Sequence, residues 1–419
     1  MAASFQPPRG MRDFLPKEMI AREEMLEKIT AVFRAFGFEP LETPALESME
    51  VLRAKAGDVS GQIFPIEGGE LGLRFDLTVP LARVVAGNPA LPKPFKRYCI
   101  ARVWRREEPQ KGRLREFLQA DIDIVGSAEK SCEAELLACA SKALEATGFD
   151  EYRIRLNNRR ILERVLAGQG IEAGVFSAVM RSLDKTEKIG DDGVVKELEA
   201  KGVSGETARA LLRALRMGGG NAEKLARMGE IAGEGVRELR DILELAKAYG
   251  IEKRIQVDFL LVRGLDYYTG PVFEIDAGGG VGSIAGGGRY DNLIQAYGGE
   301  PTPAVGISLG VERMMALRAG EGKSTRTRVF VANAKPEFLA KAVAVAQSLR
   351  ERGITAQADV MGRNLRRQFE WATGAGIPFI AVVGEREVKE KKITLRDLAK
   401  REERMVTLAE AAKILRERK

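Results

Sequence analysis

The amino-acid sequence predicts an α+β protein in which a sheet of returning strands, interrupted by a helical insertion, precedes a small α/β domain. The segment "KRYCIARVWRREEPQKGRLREFLQADIDIVG" alternates like two strands on either side of a polar turn. A charged stretch of helical character covers about 160–248, and a βαβαβ series follows the linker "GEGKSTRTR". We therefore predict a first domain over 1–322, containing the insertion, and a second over 323–419.

The first domain should begin with a helix. Apolar residues recur at helical spacing through "PKEMIAREEMLEKITAVFRAFGF", and Gly37 is a natural end. The segments "EPLETPALES" and "GLRFDLTVPLARVVAG" are predicted to be extended and broken by Pro44 and Pro80. In the second strand of the hairpin, alternation assigns residues to two faces. One face carries Phe117, Gln119, Asp121 and Asp123, and the other carries Leu118, Ala120, Ile122 and Ile124.

Further along, alternation at Ile255, Val257, Phe259 and Leu261 predicts a half-buried strand that runs up to Arg263 in "LVRGLDYYTG". The strand "PVFEIDA", a glycine-rich segment and the helix "GVERMMALRA" should follow. The glycine-rich segment "GGGVGSIAGGGRYDNL" contains a G-x-G-x-x-A match. A dinucleotide site would need a helix starting directly on those glycines, and none is predicted there. No P-loop sequence occurs in the chain.

Composition excludes several kinds of chemistry. The chain of 419 residues contains no histidine, which removes histidine-based triads and HExxH metal sites. The cysteines, Cys99, Cys132 and Cys139, lack metal-ligand spacing and are expected to be buried thiols. Apolar runs are too short to span a membrane, and the beginning of the chain lacks a signal-peptide pattern. We therefore expect a cytoplasmic protein without a membrane partner.

Charge is unevenly distributed. The formal net charge is +7, but from residue 324 onward 21 Lys and Arg face 12 Asp and Glu. This basic second domain indicates a polyanionic partner, with a solvated charged surface as the alternative. In the first domain, arginines recur where strands are predicted to end. They are Arg105, Arg106, Arg113, Arg115, Arg263, Arg289 and Arg313.

Several guanidinium groups converging on one pocket would suit a triphosphate, because each can form paired hydrogen bonds with phosphate oxygens. The acceptors Asp76, Glu107, Gln119 and Asp123 would suit an ammonium group, a ring N–H or a divalent ion. Each of these residues could instead take part in an ordinary surface ion pair.

At this point the sequence resembles a known family. The segments "RFDLTVPLAR", "RVWRREEPQKGRLREFLQADIDIVG", "VRGLDYYTGPVFE", "AGGGRYDNL" and "PAVGISLGVER" are similar to those of histidyl-tRNA synthetases, which are class II aminoacyl-tRNA synthetases. The resemblance extends from "GMRDFLP" to the terminal domain. It implies an antiparallel catalytic sheet, a helical insertion and an anticodon-binding α/β domain. It also implies a homodimer formed through the first helix and the strand at Pro44.

The resemblance further implies that the protein activates L-histidine with ATP and magnesium to histidyl-adenylate, then transfers histidine to the 3′ end of tRNA(His). No tightly bound organic cofactor is implied. Arg105 and Arg263 would act on the reacting phosphate, and Asp266 would be a structural neighbour of Arg263. Histidine would be bound by Asp76, Leu77, Thr78, Gln119, Asp123, Tyr267 and Tyr268. ATP would be bound by Arg105, Glu107, Phe117 and Arg313, and tRNA by Arg363, Arg366 and Arg367.

Two other functions are alternatives to this enzymatic activity. Catalytically silent relatives serve as regulatory subunits of ATP phosphoribosyltransferase in histidine biosynthesis. Those relatives usually lack the anticodon-binding domain and depart from the active-site motifs, whereas this chain keeps both. A non-catalytic RNA-binding protein would explain the basic second domain but not the arginines and carboxylates on the strands. The sequence does not identify magnesium ligands.

Overall fold

The computed structural model describes residues 5–54, 57–110, 112–263, 267–320 and 322–417. These residues form two compact units. The first comprises Met1–Asp13 and Met25–Ala319, and the second comprises Phe14–Glu24 and Gly320–Lys419. Among the described residues, no helix is long and apolar enough to cross a membrane.

The strands of the first unit precede and follow a helical insertion. They are β1 (Glu39–Pro40), β2 (Leu46–Ser48), β3 (Phe64–Pro65), β4 (Leu71–Leu73), β5 (Phe95–Trp104), β6 (Glu116–Val125), β7 (Arg153–Asn158), β8 (Ile255–Val257), β9 (Pro271–Asp276), β10 (Ala285–Arg289) and β11 (Ala304–Gly310). Eight of them form one sheet in the order β1-β5-β6-β11-β10-β9-β7-β8. Its six central strands are antiparallel, whereas the edge pairs β1/β5 and β7/β8 are parallel. The predicted antiparallel sheet is thus confirmed, with a parallel pair at each edge.

Helices alternate with these strands along the chain and form the insertion. The α-helices between Pro16 and Leu317 are α1 (Pro16–Ala35), of which the residues up to Glu24 belong to the second unit, and α2 (Met49–Ala54), α3 (Thr78–Gly87), α4 (Ser131–Ala146), α5 (Arg159–Gly168), α6 (Phe176–Leu183), α7 (Thr186–Glu199), α8 (Gly205–Leu215), α9 (Asn221–Gly229), α10 (Gly233–Ala248), α11 (Leu293–Ala296) and α12 (Val311–Leu317). The predicted helical character of about 160–248 is confirmed by α5 to α10.

The hairpin β5–β6 follows the predicted alternation. Ala120, Ile122 and Ile124 are buried in the core with residues of α4 such as Leu136 and Leu137. The alternate residues of β6 face the other side of the sheet. The sequence pattern therefore separates an apolar core from a polar surface within one strand.

Two predictions about local structure were wrong. The segment after Asp76 was expected to be extended, but it forms α3, with Pro80 in the first turn. Proline is tolerated there because the first backbone N–H groups of a helix have no intrahelical acceptor. The strand expected to run up to Arg263 ends at Val257. Asp258 accepts a hydrogen bond from the backbone N–H of Leu260, which turns the chain out of the ladder.

The second unit contains the predicted βαβαβ series, followed by an extension that the sequence analysis did not describe. Its elements are β12 (Val329–Asn333), α13 (Leu339–Glu351), β13 (Ala356–Ala358), α14 (Leu365–Gly374), β14 (Phe379–Val383), α15 (Glu385–Glu390), β15 (Ile393–Asp397), β16 (Glu402–Val406) and α16 (Leu408–Glu417). The five strands are ordered β13-β12-β14-β15-β16. The first three are parallel, and β15 and β16 add antiparallel strands at one edge.

Candidate active site

A cavity of about 370 Å³ lies on the polar face of the central strands in the first unit. This volume falls within the range of roughly 300–1,000 Å³ that is typical of ligand sites. The charged and aromatic residues that line this central cavity are Asp76, Arg105, Glu107, Arg113, Phe117, Asp121, Asp123, Asp184, Arg263, Tyr267, Tyr268, Glu274, Tyr290, Glu312 and Arg313.

Glycines in β10 and β11 create the space for this cavity. The carboxylate of Asp123 lies over Gly306, where an added Cβ would be 2.0 Å from Asp123 Oδ1. The ring of Tyr268 lies over Gly288, where an added Cβ would be 2.8 Å from the nearest ring atom. Side chains at either glycine would displace the groups that face the cavity. The glycine-rich segment thus serves close packing of side chains on strands and not a dinucleotide turn.

One end of the cavity is a buried cluster of carboxylates around an arginine. Asp123 Oδ2 is 2.8 Å from Nη2 of Arg97, and both side chains are buried. The hydroxyl of Tyr290 donates to Asp123 Oδ1. Asp76 caps α3, because its Oδ1 accepts from the backbone N–H of Val79 at 3.0 Å. We call this region, which comprises Asp76, Arg97, Asp121, Asp123 and the neighbouring tyrosines, the carboxylate end.

Burial changes the ionisation of this cluster. It raises the pKa of Asp76 to about 6, although the Val79 N–H and the nearby arginines Arg105 and Arg97 oppose the change. It raises the pKa of Asp121 to about 7, again opposed by Arg97. A single fully buried arginine therefore faces three carboxyl groups. Such a site favours the binding of a further positive group or N–H donor.

Three tyrosines form the flat walls of the carboxylate end. The ring centroids of Tyr267 and Tyr268 are 5.0 Å apart, and those of Tyr267 and Tyr290 are 5.9 Å apart. Both pairs meet edge to face, the arrangement that aromatic quadrupoles favour. The hydroxyl of Tyr267 is 3.5 Å from Asp76 Oδ2. Flat apolar walls beside carboxylate acceptors can hold a ring that carries N–H groups.

The other end of the cavity, which we call the arginine end, carries Arg105, Arg113, Arg263 and Arg313. Arg105 Nε donates to the carbonyl of Phe75 at 2.9 Å. Its guanidinium lies 5.2 Å from the ring centroid of Phe117. Nη1 of Arg313 donates to the carbonyl of Ser283. Arginine has five N–H donors, so each side chain keeps capacity for oxygens of an anionic ligand.

The remaining arginines of the predicted set point elsewhere. Arg106 is exposed and does not line the cavity. Arg115 Nε donates to the carbonyl of Glu107 at 2.9 Å. Arg289 forms a buried, two-pronged ion pair with Glu133 of α4, with distances of 2.6 and 2.9 Å. The alternation of β10 explains this, because Arg289 faces the helices while the next residue, Tyr290, faces the cavity.

Most predicted site residues lie together around the cavity. Those that line it are Asp76, Thr78, Arg105, Glu107, Phe117, Gln119, Asp123, Arg263, Tyr267, Tyr268 and Arg313. Leu77 is different, because its side chain packs in the core with Cys99 and Val103. Only its backbone carbonyl faces the site, where it accepts from Arg97 Nη2 at 3.0 Å. Asp266 lies outside the described residues.

Several lining residues were not among the site residues predicted from the sequence. Asp121 shares the polar face of β6 with Gln119 and Asp123, so strand alternation alone could have added it. Tyr290 could have been found from its position beside the glycines of β10. Glu274 is the one charged residue in the interior of β9, which was a weaker signal. Asp184, at the end of α6, carried no sequence signal that it would reach this cavity.

The three arginines predicted to bind tRNA lie at the start of α14 in the second unit. Nη1 of Arg363 contacts Asp359 Oδ1 at 3.0 Å, and its guanidinium lies 5.2 Å from the ring centroid of Trp371. Arg366 is exposed and pairs with Glu370. Arg367 is also exposed. The first is therefore held in place, whereas the other two extend towards solvent.

Comparison with known proteins identifies this fold as that of an aminoacyl-tRNA synthetase. The family model described as histidyl-tRNA synthetase matches residues 10–314, and the model described as anticodon binding domain matches residues 328–418. The chain belongs to the histidyl-tRNA synthetase family.

Individual relatives agree with this assignment. The chain is 41% identical to the histidine–tRNA ligase of Aeropyrum pernix, over 97% of each protein. It also matches the crystal structure of histidyl-tRNA synthetase from Nostoc sp. PCC 7120 with a TM-score of 0.88 and 32% identity over 100% of both chains. A structure from Bacillus halodurans C, described as an ATP phosphoribosyltransferase regulatory subunit/histidyl-tRNA synthetase, has a TM-score of 0.76 at 22% identity and covers 91% of this chain and 99% of its own. That last likeness shows the fold alone.

Proposed function

We propose that this protein activates L-histidine with ATP in the central cavity, releases pyrophosphate, and transfers histidine from the adenylate to the 3′ end of tRNA(His). One observation carries the proposal: a single cavity joins a buried carboxylate and tyrosine cluster to four arginines. Membership in the histidyl-tRNA synthetase family supports the same reaction. The proposal locates the reaction in the cytoplasm, where charged tRNA is used.

Histidine occupies the carboxylate end in this proposal. Asp123 accepts an N–H of the imidazole ring, and Tyr267 and Tyr268 enclose the ring. Asp76, Thr78 and Gln119 surround the α-amino group, while Leu77 contributes only its backbone. Asp123 is held by Arg97 and Tyr290, so its acceptor geometry is fixed before the substrate arrives. An amino acid without ring nitrogens would leave these buried groups unpaired, which costs several kcal/mol.

ATP occupies the arginine end. Phe117 stacks on the adenine, and Glu107 contacts the adenosine. Arg105 binds the α-phosphate, and Arg313 binds the distal phosphates. Burial lowers the pKa of Arg313, and the nearby Arg113 adds to this shift. An arriving polyphosphate would relieve the repulsion between these two guanidinium groups.

The chemical step is an attack of the histidine carboxylate on the α-phosphorus, with pyrophosphate as the leaving group. The carboxylate is already ionised at neutral pH, so no general base is needed. Arg263 and Arg105 stabilise the charge that develops on the phosphate oxygens. This chemistry is compatible with a chain that contains no histidine.

Magnesium is part of the proposal as a partner of ATP. No group of three or more candidate metal-ligating side chains occurs among the described residues. At nucleotide sites Mg²⁺ is usually held by phosphate oxygens, water and one or two protein carboxylates. The bound ion would neutralise phosphate charge.

The second domain, over 323–419, would bind the anticodon region of tRNA(His), and residues 1–322 would carry the activation site. Arg366 and Arg367 extend towards solvent and are the proposed phosphate contacts, whereas Arg363 supports the start of α14. We further propose a homodimer formed through α1 and the segment around Pro44. The match to an anticodon-binding family model supports the RNA-binding role.

Histidine-dependent exchange of labelled pyrophosphate into ATP tests the proposal directly. We expect exchange with histidine and, among the twenty standard amino acids, background exchange with the other nineteen. The same preparation should attach histidine to tRNA(His). The rival function, a regulatory subunit of ATP phosphoribosyltransferase, predicts no exchange. A folded, magnesium-supplied preparation without exchange would therefore contradict the enzymatic function.

A further inference from the structure

Arg263 has a fixed partner in the structure. Its Nη1 donates to Glu274 Oε1 at 2.7 Å, and the two side chains are 20% and 21% exposed. Arg263 itself lies outside regular secondary structure, six residues beyond the end of β8. Glu274 lies in β9, between β10 and β7 in the interior of the eight-stranded sheet. The position of the guanidinium therefore depends on a carboxylate that the sheet holds in place.

A glycine completes this arrangement. Gly286 of β10 is the cross-strand partner of Glu274. A Cβ added to Gly286 would be 1.9 Å from Nη1 of Arg263, so the guanidinium lies directly against the glycine backbone. Glu274 holds this guanidinium from one side while Gly286 leaves the space for it. We call these two residues the arginine seat.

The arginine seat leaves N–H donors of Arg263 available to a ligand. A guanidinium has five N–H donors, and the contact with Glu274 involves only Nη1. Burial alone would lower the pKa of Arg263, but Glu274 and the two tyrosines, Tyr268 and Tyr267, raise it above its ordinary value. The Glu274 carboxylate thus fixes the position of the Arg263 guanidinium group and offsets part of its positive charge before an anion binds.

We propose that Glu274 is a positioning residue for adenylate formation: it holds the guanidinium of Arg263 over Gly286 so that the free N–H donors face the reacting phosphate. This inference rests on the proposed function of Arg263. Charge offset by Glu274 limits how strongly Arg263 attracts ATP in the ground state. Holding the N–H donors of Arg263 in place stabilises the transition state most, because negative charge develops on the phosphate oxygens there. Loss of Glu274 should therefore lower kcat more than it raises KM.

The first test measures pyrophosphate exchange by Glu274→Gln, which keeps the shape of the side chain and removes its charge. We expect kcat to fall by about 10- to 100-fold, because misplacement of a reacting group by about 1 Å has an effect of that size. KM for ATP should stay within about threefold of the wild-type value or decrease. A rise in KM with unchanged kcat would overturn the proposal.

A control variant removes an exposed carboxylate from the same unit. Glu187 pairs with Arg155 at 2.7 Å and lines a neighbouring cavity that also includes Glu274. Glu187→Gln should keep kcat within about twofold of wild type, because the carboxylate does not contact Arg263. If kcat fell as much as in Glu274→Gln, the effect would come from the loss of any negative charge in this region. That result would contradict the proposal that Glu274 positions Arg263.

Gly286→Ala gives an independent test that leaves Glu274 in place. The added methyl group meets the flexible end of the Arg263 side chain, so the guanidinium must move while the strand stays. The same fall in kcat is expected. This variant decides the question if Glu274→Gln fails to fold in a thermal unfolding control, and a wild-type kcat in Gly286→Ala would overturn the proposal.

A double mutant tests whether Glu274 acts only by positioning Arg263 or has a separate effect on the rate. If Glu274 acts only through Arg263, Arg263→Ala combined with Glu274→Gln should be no slower than Arg263→Ala alone. Multiplied losses would contradict the inference. Absence of exchange in the wild-type protein would instead overturn the proposed function itself, so the two failures are distinguishable.

Discussion

The two ends of the central cavity are built differently. At the carboxylate end, charged groups are buried on interior strands and paired with one another, as in the contact between Arg97 and Asp123. At the arginine end, Arg105, Arg263 and Arg313 donate hydrogen bonds to Phe75, Glu274 and Ser283 and remain partly exposed. Contacts within the protein fix the side chains of the first end before a ligand binds, whereas the second end keeps donors available for one.

This difference separates selection of the amino acid from its activation. Selection requires acceptors at fixed positions, because discrimination depends on leaving buried groups unpaired in the wrong complex. Activation requires cations whose interactions become stronger as charge develops on phosphate. The carboxylate end should therefore be coupled to the stability of the fold, and the arginine end should be coupled mainly to rate.

The largest expected effect is on stability at the carboxylate end. Arg97→Met removes the cation that faces Asp121 and Asp123 in a fully buried setting. We expect the free energy of unfolding to fall by about 3–5 kcal/mol, because removing one member of a buried ion pair leaves an uncompensated charge. Denaturant unfolding monitored by circular dichroism measures this change. A loss below about 1 kcal/mol would show that the cluster does not depend on Arg97.

Arg105→Met should reduce the rate of adenylate formation strongly and the stability of the fold only slightly. Its Nε hydrogen bond to the Phe75 carbonyl contributes about 1 kcal/mol to stability. We expect adenylate formation to slow by about 100-fold, the usual effect of losing one preorganised donor. Pre-steady-state adenylate formation and the same unfolding assay test both halves. If Arg105→Met were as destabilised as Arg97→Met, the two ends of the cavity would not differ in their coupling to the stability of the fold.

The smallest effect is a dependence on pH that comes from Asp76. Its pKa of about 6 means that the acceptor becomes protonated as the pH falls through that value. The kcat/KM for histidine should then decrease by about tenfold per pH unit below the break. Asp76→Asn should lack this break, although the imidazole of the substrate titrates with both proteins.

The raised pKa of Asp76 has the opposite effect on stability, which should increase as the pH falls. The folded protein binds a proton at Asp76 more tightly than the unfolded chain, whose carboxyl has the ordinary pKa of 3.8. The contribution of Asp76 to the free energy of unfolding should therefore increase as the pH falls from about 6 towards 4. Thermal unfolding of wild type and Asp76→Asn over this range measures the difference. An identical dependence in both proteins would contradict the assignment to Asp76.

Strand alternation predicted much of the candidate site. Because side chains alternate strictly along a strand, the pattern in β6 placed Gln119, Asp121 and Asp123 together on the polar face. The same alternation at the end of β10 directs Arg289 and the following residue, Tyr290, to opposite faces, so Arg289 points away from the cavity. Proximity to the end of a strand therefore predicted only four of the seven arginines that were expected at the cavity.

Hydrogen bonds from aspartate side chains to the backbone explain the two incorrect predictions of secondary structure. The apolar alternation after Ile255 continues to Leu261, but the side chain of Asp258 captures a backbone N–H and ends the strand. In "RFDLTVPLAR", Asp76 caps a helix through the backbone N–H of Val79, so Pro80 lies in its first turn. Both outcomes depend on one side-chain hydrogen bond that a periodicity argument does not include.

The sequence by itself determined the order of elements, the helical insertion, the second α/β domain, and the family to which the chain belongs. These follow from periodicity and from contiguous motifs, which are local properties. Only the tertiary structure decided that Glu274 holds Arg263 over Gly286, that Asp184 of the insertion reaches the cavity, and that Arg289 faces Glu133. These contacts join residues from different elements, and the packing of those elements determines which side chains meet.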